Sequence, residues 1–211
     1  MFFILPDVEL TSFRVFDHNA ETTTHWYLDS INFAIALGMD VINVSIGGND
    51  SADLPFKEKF QEACAHGIAV FAASGNEGGI GSTLHPANEP CVIGIGAANF
   101  EHDVPHFSTK GFTTEFLSQG SGQFKPDLLM YGEKVPSLTL KPEPTCSLQT
   151  GTSFASPIAC GVGAVVLQVA RTRLKNPNGA FVRQVLVESA SRLDIPTGIY
   201  GQGEKKIILT L

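Results

Sequence analysis

The chain has 211 residues, 43% of them hydrophobic and 17% charged, which suits a packed interior and excludes a disordered segment. Its 21 acidic against 14 basic residues give a net charge of −7 with no basic stripe, so charge argues against nucleic acid and against an anionic membrane surface. The uninterrupted apolar runs fall short of the ~20 residues that span a bilayer, and MFFILP lacks the basic n-region of a signal peptide.

Short apolar strands alternate with helical periods along the chain. Ser12–Phe16 reads as a strand, followed by a polar turn over Asp17–Thr24. Leu28, Ile31, Ala34 and Ile35 recur at helix spacing between Trp26 and Leu37, and Gly38 supplies a stop. Val41–Ile46 is a nearly continuous apolar strand. A helix from Pro55 to His66 ends at Gly67, and strands follow at Ile68–Ser74 and Cys91–Ala97. Strand–helix–strand connections of this kind predict an α/β fold with a mostly parallel sheet covered on both faces.

The order is less regular after Ala97. Residues 107–111 read as a turn, and Leu128–Tyr131 is a short apolar stretch. A long helix begins near Ser153 and runs to about Val169, with Pro157 tolerable because it falls near the first turn. A second helix fits Ala180–Ser191, and KKIILTL at the end fits one more strand. No linker and no internal repeat divides the chain into separate domains. Cys64, Cys91, Cys146 and Cys160 match neither zinc spacing nor a disulfide framework and read mostly as buried small hydrophobes.

Two segments carry chemistry. In GTSFASP (151–157), a serine at a helix start lies among free backbone N–H groups that favour developing negative charge. Such a serine is either an activated nucleophile beside an oxyanion site or a simple helix cap. In AASGNEGG (72–79), Asn76 stands at a strand end, where ligands bind in open α/β sheets. Its amide either donates to an oxyanion or stabilises its own turn. Neither G-x-x-x-x-G-K-[ST] nor G-x-G-x-x-G occurs, so the glycine-rich turns do not form a nucleotide site of either kind.

VINVSIGG (41–48), AASGNEGG (72–79) and GTSFASP (151–157), with HPANEPCVIGIGAANF (85–100) and FSTKG (107–111) between them, resemble the subtilisin-like serine protease family over nearly the whole chain. RVFDHN, WYLDSINFAI, KPDLLMYG and the placement of Cys146 shortly before GTS resemble the site-1 protease branch, membrane-anchored proprotein convertases of the secretory pathway. The resemblance implies a three-layer subtilisin-like fold in which residues 1–211 are the C-terminal two-thirds of one peptidase domain, its upstream strands missing from this chain. It implies Ser153 as nucleophile and Asn76 as the oxyanion-hole side chain, with the Ser153 backbone N–H as companion. It implies that Ser45, Ile46, Gly47 and Gly48 bind substrate backbone, and that Gly75 forms the opposite wall of the pocket. Small residues there let an extended peptide approach and pair like an added strand.

The family's buried aspartate and its histidine base lie in Asp-Thr/Ser-Gly and His-Gly-Thr settings. Neither setting occurs here, and the histidines His18, His25, His66, His85, His102 and His106 do not replace them by pattern. The resemblance therefore implies a peptide or protein substrate, but an inactive chain unless a complementary upstream segment of the same protease is present. A protease-like module that binds peptide without turnover is the alternative. Calcium accompanies the family, yet no compact acidic loop marks a site, so no cofactor is assigned.

Overall fold

A computed structural model describes residues 4–49, 54–111, 113, 123–139, 145–193 and 207–208. The described strands are β1 (Val41–Val44), β2 (Ala69–Ala73), β3 (Ile93–Ala98), β4 (Leu128–Tyr131), β5 (Val135–Leu138), β6 (Cys146–Gln149), β7 (Ser191–Arg192) and β8 (Ile207–Ile208). Helices are α1 (Thr24–Ala36), α2 (Leu54–Ala65), α3 (Thr152–Arg171) and α4 (Gly179–Ser189). The central sheet runs in the order β1-β2-β3-β4-β8-β7, parallel except where β7 meets β8. β5 and β6 form a separate antiparallel hairpin.

Strand β2 shows why the architecture has three layers. All five of its residues are buried, and successive side chains point to opposite faces. Ala69 and Phe71 join a core with Ile95, Leu128, Met130, Ala155, Ala159, Cys160, Leu167 and Val182, beneath α3 and α4. Val70 and Ala72 join the other core, with Tyr27, Ile31, Val44, Phe60, Ala63 and Val92, beneath α1 and α2. A strand buried on both faces has no polar side to show, which explains its continuous apolar run.

Helix α3 is long and apolar enough to cross a bilayer by length and composition, although no single apolar run in the sequence reaches that length. Half of its apolar window is buried inside the fold, where Ala155, Ala159, Gly163 and Ala164 lie close on the sheet. Its apolarity thus serves the protein interior. Pro157 sits within the first turns, where the missing N–H costs least. At the far end Arg171 pairs with Asp40, which raises the arginine's proton affinity and places a cation at the helix C-terminus.

The helix and strand expectations hold to within one or two residues at most ends. Ser12–Phe16 is the exception: among the described residues it joins no β-ladder, and Arg14 Nε donates locally to Phe16 O at 3.0 Å. The turn after it is built by Asp17, whose carboxylate accepts from the Asn19 and Glu21 N–H groups at 2.9 Å each. The β5–β6 hairpin and β7 were not expected. Of KKIILTL, only Ile207 and Ile208 lie within the described residues, as β8. The cysteine expectation needs correcting too. Cys160 is buried, Cys146 is exposed on β6, and Cys64 and Cys91 are half-buried beside one another.

Candidate active site

Gly151 opens α3 with φ 148° and ψ 156°, a left-handed-side backbone that disfavours any side chain. Its N–H donates to Gly132 O at 2.8 Å, which fixes the chain as it leaves the β5–β6 hairpin. The next residue, Thr152, is fully buried and donates twice to Asn76 Oδ1, from its backbone N–H at 2.9 Å and its hydroxyl at 3.1 Å. The same hydroxyl accepts the Gly75 N–H at 3.2 Å. With its carbonyl oxygen held by two donors, Asn76 must point its Nδ2 the other way. Among the described residues Nδ2 makes no hydrogen bond, and Asn76 is exposed.

Ser153 occupies the first turn of α3, where the macrodipole is equivalent to roughly half a positive charge. Its backbone N–H has no partner among the described residues. Its side-chain Oγ lies 3.4 Å from Ser45 O, and in return Ser45 Oγ donates to Ser153 O at 2.9 Å. Asn43 joins the same network: its Nδ2 donates to Ser45 Oγ at 3.2 Å, while its Oδ1 accepts from Ser156 Oγ at 2.7 Å. The end of β1 is thereby laced to the start of α3.

The residues expected to bind substrate part company here. Gly48 exchanges two backbone bonds with His85, at 3.1 and 2.9 Å. Leu84, which sequence reasoning missed, fills the space between the two glycine segments. A methyl on Gly47 would lie 2.9 Å from Leu84 Cβ, and one on Gly75 would lie 2.8 Å from Leu84 Cγ. Gly75 also has φ 115°. Ile46 turns its side chain into the α1/α2 core, so only its backbone faces the site. The one signal for Leu84 in the sequence was its place directly before His85-Pro86.

All six histidines are described, and none hydrogen-bonds Ser153. His25 pairs with Asp29, His66 Nδ1 meets Glu62 O at 2.9 Å, and His102 meets Tyr131 Oη at 3.3 Å. The His106 ring packs edge-on against Phe107, and His18 is exposed in the turn after residue 16. His85 is buried between Phe56 and Phe60 with Glu89 at 3.5 Å. Among the described residues, no group of three or more His, Cys, Asp or Glu side chains is arranged to hold a metal. Beneath the site, burial pushes the Cys160 thiol up to about 12, which keeps that sulfur protonated and inert.

What this arrangement can do is accept negative charge. Two unengaged donors, Asn76 Nδ2 and the Ser153 N–H, flank the first turn of a 20-residue helix beside a serine hydroxyl.

A family model for the Subtilase family matches residues 2–203. The membrane-bound transcription factor site-1 protease of Mus musculus is 42% identical over 206 residues, covering 97% of this chain and 19% of that protein. Subtilisin E of Bacillus subtilis (strain 168) is 31% identical over 205 residues, covering 95% of this chain and 48% of that protein. Among solved structures, the patellamide maturation protease PatA is similar with a TM-score of 0.72 at 27% identity, over 87% of this chain and 64% of that one. The chain thus spans about a fifth of the length of the site-1 proteases it matches, with 19% covered in the mouse protein.

Proposed function

The chain belongs to the subtilase family, and on that premise we propose that residues 1–211 are part of one serine endopeptidase domain, the part that bears the nucleophile, the oxyanion hole and a peptide-binding edge. Ser153 Oγ attacks the scissile carbonyl. The resulting oxyanion accepts from Asn76 Nδ2 and the Ser153 N–H, in the field of the α3 N-terminus. Backbone at Ser45, Ile46, Gly47 and Gly48 pairs with an extended substrate, and Gly75 closes the opposite wall over Leu84. The observation that carries this reading is the double anchoring of Asn76 Oδ1 by Thr152, which leaves the amide N–H₂ free to donate.

Activation of Ser153 needs a base, and none of this chain's histidines reaches it. The histidine and its orienting aspartate therefore come from a complementary segment of the same protease. Strand β1 is an edge of the described sheet. A cavity of about 310 Å³ lies between β1 and residues 8–15, lined also by Ser30, Ile31 and Ala34. An additional parallel strand at this edge would pair the free backbone of Val41–Val44 and bury the apolar lining. The likeness to the membrane-bound mouse protease supports a place in the secretory pathway, and an epitope-tagged chain followed through cell fractionation tests that.

A fluorophosphonate that labels activated serines tests the function. The chain alone should resist labelling. Mixed with a subtilase segment that carries the Asp-x-Gly and His-Gly-Thr motifs, it should label at Ser153 and cleave peptide, and Ser153→Ala should abolish both. The Ser153 Oγ contact to Ser45 O, with no histidine alongside, favours a second reading as a peptide-binding module. Peptide binding that persists without labelling in the complemented protein would select that module and sink the endopeptidase.

A further inference from the structure

Two thiols far apart in sequence meet outside the site. Cys64 lies in the last turn of α2, and Cys91 lies just before β3. Cys64 Sγ donates to Cys91 O at 3.4 Å, which brings the two cysteine side chains beside one another. Cys91 Sγ lies 3.9 Å from Phe60 O, one turn earlier on α2, so its side chain rests against the helix that bears Cys64. Both residues are half-buried and line an open groove of about 600 Å³ with Pro90, Phe124 and Arg183. Small reagents can reach them. Cys160, by contrast, is sealed in the core, and Cys146 stands exposed on the β5–β6 hairpin.

We propose that Cys64 and Cys91 are a redox pair that closes into a disulfide, tying α2 to the start of β3 and enclosing the segment that bears Gly75, Asn76 and Leu84. The partners are chemically unequal. The contact between the two side chains lowers the proton affinity of Cys91, while that contact and burial raise that of Cys64. Cys91 is thus the thiolate that attacks first. With a small disulfide such as glutathione disulfide as oxidant, the Cys91 thiolate displaces one glutathione thiolate and forms a mixed disulfide. Cys64 then loses its proton and displaces the second glutathione. Two protein thiols are oxidised, one glutathione disulfide is reduced, and the two protons leave on the two glutathione thiols. The closed loop contains β2 whole, so the crosslink restricts the unfolded chain around the oxyanion-hole segment.

Peptide mapping of the intact chain after exposure to glutathione disulfide, quenched in acid and digested without reductant, tests the pair. The expected product is a Cys64–Cys91 crosslinked peptide, with Cys160 still free. Oxidation should raise the melting temperature by about 5–10 °C, and dithiothreitol should reverse the rise. Cys64→Ser should stop at a stable glutathione adduct on Cys91, whereas Cys91→Ser should leave Cys64 largely unmodified. A map in which Cys64 and Cys91 stay free while Cys146 alone reacts would overturn the proposal. So would separate glutathione adducts on Cys64 and Cys91 in the unsubstituted protein, or a crosslink that leaves the melting temperature unchanged. The mapping of the unsubstituted chain decides the matter even where a variant fails to fold.

Discussion

Thr152 gives both of its hydrogens to a single atom, Asn76 Oδ1, at 2.9 and 3.1 Å, and takes the Gly75 N–H on the same hydroxyl. One buried threonine therefore orients the amide beside Ser153 and satisfies the backbone of the facing segment.

Replacing Thr152 with valine keeps the shape and deletes the hydroxyl. The Gly75 N–H loses its partner, at a cost of about 1–3 kcal/mol. Thr152→Ser keeps the hydroxyl and should be the milder change. Urea denaturation of the two variants gives the comparison; equal midpoints would show that the hydroxyl bears no weight.

Gly163 faces the ring of Phe71 so closely that a methyl there would lie 2.5 Å from Phe71 Cζ. Gly163→Ala should destabilise the fold by about 1–3 kcal/mol through overpacking. Adding Phe71→Leu should return part of that loss, so that the double variant is less damaged than the two single changes added together. Strict additivity in thermal or urea unfolding would contradict the contact.

Lys125 is buried at 1% exposure, with Nζ at 2.7 Å from both Val92 O and Asp127 Oδ2. Asp127 also accepts from Gly94 N at 2.7 Å and from Arg183 at 2.5 Å, so it is the hub of the ion pair network. Lys125→Met removes one cation and leaves a buried carboxylate with less compensation, a loss of about 3–5 kcal/mol. Lys125→Met with Asp127→Asn should recover part of it. Equilibrium denaturation reads both.

Burial raises the proton affinity of both Tyr27 and Cys160, the latter from an ordinary 9.0 to about 12. In the unfolded chain the cysteine ionises near its ordinary value, while the folded state still holds the proton. The stability it contributes is complete below about pH 9 and drains away toward pH 12, by ~1.4 kcal/mol per pH unit for one such group. Tyr27 acts in the same direction at higher pH. Guanidinium unfolding at pH 8 and pH 10.5 should show the decline, and Cys160→Ala should flatten it.

The sequence made the parallel sheet legible because β2 and β3 are buried on both faces and leave unbroken apolar runs. Helix stops at Gly38 and Gly67 were equally readable, since both glycines adopt positive φ at helix ends. Ser12–Phe16 had the composition of a strand, but pairing depends on a neighbour that composition does not reveal. The hairpin β5–β6 was hidden because Pro136 and the exposed alternation of Val135–Leu138 give no apolar run. In the site, Ser153 and Asn76 stood out through their motifs. Thr152's double donation, Leu84's place between two glycine segments and the Cys64–Cys91 meeting all depend on residues brought together by tertiary folding.

Asn43 gives this geometry a final consequence. It sits exposed on edge strand β1, yet one end of its amide holds Ser45 and the other holds Ser156. Any strand that docks along that edge meets the residue that braces both flanks of the serine. On the proposed endopeptidase reading, completion of the sheet and alignment of Ser153 are a single mechanical event, and a domain without its partner strand carries its own safety catch.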